Sequence, residues 1–162
     1  MRNATTCFAH TSDSLRNSRV AAWRTLLLLA LIGTLHAGTA ASSPVLETVK
    51  LAENIYALIG PTTNRDDKNL GNNANFGVIV TADGVVLIDT GATDRGAKMI
   101  HDAVKAITDQ PVKLVINTGG QDHRWLGNGY FKSLGAHIIA NREAVVDQKA
   151  RLQDQLIRLG RL

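Results

Sequence analysis

A mixed α/β sandwich is the fold class that this sequence predicts, and three observations predict it. About six short runs are apolar and β-branched, and two longer runs carry apolar residues three or four apart. They follow one another in the order ββ-ββ-α-β-β-α. The strand runs are apolar at successive positions, which implies a sheet that needs a covering layer on each face.

The elements can be justified in chain order. Val45–Ala52 and Asn54–Ile59 alternate in the manner of short strands around a turn at Glu53-Asn54, an opening hairpin. Residues 61–75 are polar, rich in Asn and Asp, and contain Gly71, the composition of a surface loop. Phe76–Thr81 and Val85–Ile88 flank Ala82-Asp83-Gly84, where Asp-Gly supplies the positive φ of a tight hairpin turn. Thr93–Ile107 places Ala97, Ile100, Val104 and Ile107 on one face, with Thr93 or Asp94 as N-cap. Lys113–Ile116 is a further strand entered from Pro111, and residues 117–128 are irregular. Ala136–Ala140 is the last strand. Arg142–Leu159 sets Val145, Val146, Ala150, Leu152, Leu156 and Leu159 on roughly one stripe, with Gly160 as a C-cap. Two helices barely cover one face of such a sheet, so layer counting predicts further covering elements after Leu162.

The chain has 162 residues and 17.4 kDa, room for one domain, and its 44% hydrophobic content excludes a disordered polypeptide. A pI near 9.5 suggests nucleic acid at first sight. Four of the 18 basic and one of the 14 acidic side chains precede residue 42, however, leaving 14 against 13, so no nucleic-acid footprint is expected.

The segment that carries this charge is itself informative. Arg16, Arg19 and Arg24 precede Leu26-Leu27-Leu28-Leu29-Ala30-Leu31-Ile32, and small residues follow through Ala37–Ser42. Basic, apolar and small residues in that order make a secretory signal peptide, and the apolar run is too short to span a bilayer. The reading is a signal peptide over residues 1–41 and a domain over 42–162, periplasmic or secreted, with no membrane attachment after cleavage. Cys7 leaves with the leader, so disulfides cannot stabilise the mature chain.

Two segments can carry chemistry. In Val86-Leu87-Ile88-Asp89-Thr90-Gly91 an acid ends a buried strand and is followed by Thr-Gly, the pattern of aspartic proteases; it is equally a device by which a carboxylate fixes a turn. The helix-patterned stretch after Thr93 argues against the protease, which would continue into strands. The second segment is Asn117-Thr118-Gly119-Gly120-Gln121-Asp122-His123-Arg124-Trp125-Leu126-Gly127-Asn128. Its glycine pair lacks the Lys-Ser/Thr or Gly-x-Gly-x-x-Gly context of a nucleotide site. Adjacent Asp122 and His123 present a hard oxygen and an imidazole nitrogen, a pairing suited to zinc or another divalent metal and equally open to a solvated ion pair. His101, on the polar side of a helix, and His137, opening a strand, read as structural.

From Val49 to Leu159 this arrangement resembles the metallo-β-lactamase superfamily. The resemblance rests on the opening hairpin, Asn75–Gly91, the amphipathic helix, Pro111–Thr118, Gly127-Asn128 and Gly135–Ala140. It implies an αββα sandwich, of which this chain would be the N-terminal half, truncated at its C-terminal side. It also implies a metal-dependent hydrolase in which a zinc-activated water attacks an ester, thioester or amide of a small-molecule substrate. In the superfamily an Asn-Thr pair leads into a Thr-His-x-His-x-Asp-His loop. The first two histidines hold one zinc and the Asp and last His a second. The Gly-Gly-Gln-Asp-His-Arg-Trp-Leu-Gly-Asn string is similar to an exported, quinoprotein-associated branch, which implies a periplasmic quinoprotein-system partner.

The sequence departs from that pattern at the metal. Counting from Thr118 without gaps puts the first two histidine positions on Gly119 and Gln121, the Asp position on His123 and the last His on Arg124. A slip of one register restores Asp122-His123 as the Asp-His pair and restores neither early histidine. Glycine has no donor atom and the amide of Gln121 is a weak one. The resemblance therefore implies metal ligation by Asp122 and His123, Gln121 as a weak candidate ligand, at most one zinc, and Asp89 supporting the metal loop from behind; no catalytic residue is assigned. A non-catalytic accessory or binding protein of the same fold is the alternative, and an aspartic protease using Asp89 the third reading.

Overall fold

The computed structural model describes residues 45–160, so the expected leader, its cleavage site and Cys7 lie outside the described residues. Six strands, β1 (Glu47–Ala52), β2 (Ile55–Ile59), β3 (Asn75–Thr81), β4 (Gly84–Ile88), β5 (Val112–Asn117) and β6 (His137–Ala140), form one mixed sheet in sequential order. Four helices accompany them: α1 (Asp94–Ile107), α2 (Asp122–Trp125), α3 (Asn128–Ser133) and α4 (Arg142–Leu159). This is the mixed α/β architecture expected, built among the described residues on one sheet.

Topology follows from the connections. β1 to β4 are joined by hairpins or a loop and pair antiparallel, with Val78 opposite Leu87 and Ile79 opposite Val86. α1 then carries the chain across the sheet, and β4, β5 and β6 run parallel, as a helical crossover requires. Ile88 is level with Ile116, so the loops leaving β4 and β5 emerge side by side. That single register places Asp89 against Thr118.

The two sheet faces are covered unequally. Leu58, Phe76, Val78, Val85, Leu87 and Val115 are buried in one core with Ala97, Ile100 and Val104 of α1 and Phe131 of α3. Residues of opposite parity, among them Ala57, Ile79, Val86, Ile88, Leu114 and Ile116, are only half-buried. α1 starts where Thr93 accepts a hydrogen bond from Gly96 N at 2.9 Å, so the first of the two expected caps is the one used.

Three local expectations need correction. The 61–75 segment is more than a surface loop: Asn69 and Asn72 are buried, with Asn72 Nδ2 donating to Gly96 O at 2.9 Å. A loop that buries backbone must satisfy it, and asparagine side chains do so here. Residues 117–128 are not wholly irregular, because α2 forms one turn within them. The apolar stripe of α4 divides: Val145, Leu152 and Leu159 are half-buried, Val146, Ala150 and Leu156 are exposed, and the buried residues of the helix are Gln148 and Gln155.

Candidate functional site

The site is assembled where β4 and β5 end. Asp89 stands in the left-handed region at φ 64°, a conformation that Asp tolerates better than most side chains. Its backbone N–H donates to Ile116 O, while its carboxylate accepts from Thr118 N at 2.8 Å and from Thr118 Oγ1 at 2.7 Å. Both oxygens are thus spent on the first residue of the 118–127 loop. Among the described residues the partner of the Asp89 carboxylate is Thr118 and not a second carboxylate, the turn-fixing role rather than the paired arrangement of an aspartic protease.

A network of neutral side chains fixes the rest of the loop. Asn117 Nδ2 donates to Arg124 O at 2.6 Å, and Asn128 Nδ2 donates to Asn117 Oδ1 at 2.7 Å. Thr90 Oγ1 donates to Asn128 Oδ1 at 3.0 Å, tying the loop after β4 to the start of α3. Gly91 and the loop exchange backbone bonds, Gly91 N to His123 O and Gly127 N to Gly91 O. A side chain at Gly127 would collide with the Thr90 carbonyl, which is why the chain passes here without one.

From below, α4 holds the glycine pair. Gln148 Nε2 donates to Gly119 O at 3.1 Å and Gln155 Nε2 to Gly120 O at 2.7 Å. Gln155 Oε1 in turn accepts from Trp125 Nε1 at 3.2 Å. At Gly120 any Cβ would strike the Asp147 carboxylate, so only glycine lets helix and loop approach this closely.

Asp122 and His123 do converge, with His123 Nδ1 lying 3.3 Å from Asp122 Oδ1. A third group joins them that the sequence does not announce. Arg65, from the 61–74 loop, donates Nη1 to Asp122 Oδ2 and Nη2 to Asp122 Oδ1, the latter at 2.5 Å. Nη2 also lies 3.4 Å from His123 Nδ1. The Asp122 side chain retains only 9% exposure. Burial opposes its charge, yet the hydrogen bonds from His123 and Arg65 and the Arg65 charge overcome that, and the carboxyl is held far below the usual carboxylate range.

These groups line a cavity of about 270 Å³ together with Gln121, Arg151, Gln155 and Arg158. Arg65 is spent on Asp122 and Arg151 on Asp147, its Nε 2.6 Å from Asp147 Oδ1, so among the described residues Arg158 is the lining guanidinium that no carboxylate engages and the one that can meet an anionic guest. Gln121 is exposed and its amide oxygen accepts from Arg124 Nε at 2.9 Å. His101 packs away from the cavity, its Nδ1 2.9 Å from the Tyr130 hydroxyl, and His137 is exposed on β6.

Sequence reasoning missed Arg65, Gln148 and Gln155. The glutamines left a signal, since they sit seven apart with Leu152 between them on one helical face. Arg65 left none, being 57 residues from its partner in a polar loop.

The donor chemistry can be set against the zinc that the resemblance implies. Zinc in proteins takes at least three side-chain ligands in catalytic sites and four in structural ones. Among the described residues no three His, Cys, Asp or Glu side chains come together, and both oxygens of Asp122 are bonded to a cation already. The described residues alone do not fit a zinc ion.

Comparison with known proteins gives the fold a name. No family model matches the sequence. Among solved structures, a metallo-β-lactamase from Hirschia baltica superposes with TM-score 0.55 at 23% identity, over 65% of this chain and 48% of that one. The mono-zinc form of the metallo-β-lactamase FIM-1 from Pseudomonas aeruginosa gives 0.53 at 15% identity, over 65% and 46%. A metallo-β-lactamase from Pontibacter korlensis gives 0.52 at 18%, over 67% and 48%. This chain has the metallo-β-lactamase fold and spans about half the length of the solved structures it matches.

Proposed function

We propose that the chain belongs to an exported hydrolase of the metallo-β-lactamase fold that cleaves an ester, thioester or amide in a small anionic substrate. The observation that carries this reading is the convergence of Asp122 and His123 at the mouth of a cavity on a loop locked by Asp89 through Thr118. Clefts at the carboxyl ends of parallel strands are where folds of this class keep their chemistry. Export rests on the basic, apolar and small residues in order before residue 42.

Because the described donors are too few for zinc, the reading requires further ligands from outside residues 45–160, with at most one metal ion per chain. The half-buried apolar face of the sheet supports it, since Ile79, Val86, Ile88 and Ile116 gain most when a second layer covers them.

A second reading is a non-catalytic binding protein of the same fold. One observation favours it: Arg65 engages both oxygens of Asp122, the side chain a metal would need.

The discriminating experiment is to follow the reading frame past the codon for Leu162, express the whole product with export intact, and assay ester, thioester and amide hydrolysis. Turnover of one class, lost in both Asp122→Ala and His123→Ala, is the expected result. A product inert toward all three classes removes the hydrolase and leaves the binding protein standing.

A further inference from the structure

One side of α4 alternates amides and guanidiniums. Gln148, Arg151, Gln155 and Arg158 stand three or four residues apart, so they share a face of the helix. The glutamines are buried and spend their amides on the loop, Gln148 on Gly119 O, Gln155 on Gly120 O and Trp125 Nε1. The two arginines line the cavity, and each follows an aspartate by four residues, the spacing at which helical ion pairs form. Their outcomes differ. Arg151 takes the Asp147 carboxylate, its Nε 2.6 Å from Oδ1. Arg158 donates Nε to the backbone carbonyl of Asp154 at 3.2 Å, so among the described residues no carboxylate receives its terminal nitrogens.

We infer that Arg158 is the anion-recognition residue of this cavity, taking a small oxyanion, carboxylate or phosphate, on its guanidinium. Three features carry the inference. The Nε bond ties the guanidinium to the helix, and the two terminal nitrogens present a planar fork that matches a pair of carboxylate or phosphate oxygens. Arg65 neutralises Asp122, so the one lining carboxylate does not repel an anion, while Gln121 Oε1 accepts from Arg124 and leaves its amide N–H groups as further donors. No aliphatic or aromatic side chain lines the cavity, and about 270 Å³ lies at the small end of ligand pockets, so the guest is small and polar. The negative end of the α4 dipole opposes an anion near Arg158, but it is screened by solvent and a charge-assisted bond outweighs it. That the guest is the substrate rests on the hydrolase reading above; that an oxyanion binds does not.

Equilibrium dialysis of the full 162-residue chain at neutral pH and fixed ionic strength tests this, with inorganic phosphate in one arm and acetate in the other. The arm that binds more tightly names the oxyanion. Arg158→Gln, which removes the charge and keeps an amide, is expected to weaken binding about tenfold, the equivalent of one charge-assisted hydrogen bond. Arg158→Lys keeps the charge and loses the fork, and is expected to lie between Arg158→Gln and wild type. Asp154→Asn removes the carboxylate one turn before Arg158 and is expected to tighten binding about twofold. Lys98→Gln takes the same unit of charge from α1, where Lys98 pairs with Asp102, and is expected to match wild type. Should Arg158→Gln melt earlier than wild type, Arg158→Lys and Asp154→Asn carry the test, by moving affinity in opposite directions. Binding of neither anion by wild type, undiminished affinity in Arg158→Gln, or an equal loss in Lys98→Gln overturns the inference. The readout is anion occupancy alone, so absent hydrolysis counts against the proposed enzyme and leaves this result untouched.

Discussion

α1 and α4 are both long amphipathic helices, of 14 and 18 residues, and they bury opposite kinds of side chain. α1 puts Ala97, Ile100 and Val104 against the sheet. α4 buries Gln148 and Gln155, and leaves Val146 and Ile157 at 64% and 66% exposure. The partner surface explains the difference. A sheet offers alkyl side chains, which are best met by more of the same. The 118–127 loop offers backbone carbonyls, which must be met by donors when buried. One helix therefore holds the fold together while the other holds the site in shape.

The comparison breaks first if the two helices prove equivalent under mutation. Ile100 is fully buried in the core, so Ile100→Ala removes alkyl contacts and leaves a cavity that the close-packed sheet cannot fill. A loss of about 2–5 kcal/mol is expected in urea unfolding. Leu156→Ala on α4, where the side chain is 48% exposed, should cost under about 0.5 kcal/mol. Similar losses at the two positions would show that α4 buries its apolar stripe after all.

A middle-sized effect is expected at Gln155. Replacing it with Ala strands Gly120 O and Trp125 Nε1, each of which it satisfies, at a cost of about 1–3 kcal/mol. The damage should be local. Trp125 is the one tryptophan beyond the expected leader, so its emission reports the loop directly. A red shift with secondary structure intact is the expected signature. Unchanged emission, with a stability loss matching Ile100→Ala, would assign Gln155 to the core rather than to the loop.

These two helices also show how far the sequence could be read. The boundaries of α1 and α4 were legible because end signals and three-to-four spacing are local properties: Thr93 caps α1 and Gly160 ends α4, whereas the Asn141 cap, which accepts from Glu143 N at 2.7 Å, was not read. All six strands were legible from signals just as local, short alternating or β-branched apolar runs bounded by turn residues. The packing of α4 was not, because periodicity gives the width of an apolar stripe and not what it meets. At the site, Asp89, Asp122 and His123 were found as residue types in suggestive local context. Arg65 was beyond reach, because the contact that defines it spans 57 residues and depends on a loop path built from Asn64, Asp66, Asn69 and Asn73.

The smallest expected effect is on pH dependence, which should differ in sign window between the two regions. On α1, burial lowers the pKa of His101 below its ordinary 6.5, with the charge of Lys105 adding to the effect. A base whose pKa is lower folded than unfolded stabilises the fold fully above its ordinary value, and that contribution is lost as pH falls through the folded value. The neutral ring lies 2.9 Å from the Tyr130 hydroxyl, so protonation also disturbs that pair. Asp122 acts in a separate range. Its carboxyl is held below the ordinary 3.8, so its contribution stays intact through neutral and mildly acid pH and fades only as pH falls beneath that value. Urea midpoints at about pH 7.5 and 5.5 should therefore fall slightly in wild type and in Asp122→Asn alike, and the His101→Gln variant should be flatter. Between about pH 4 and 2.5 the order reverses: Asp122→Asn becomes the flatter of the two, because its group no longer titrates. A His101→Gln profile that overlays wild type across the upper window, or an Asp122→Asn profile that overlays it across the lower one, would show that His101 on α1 and Asp122 in the loop that α4 holds do not titrate in separate windows.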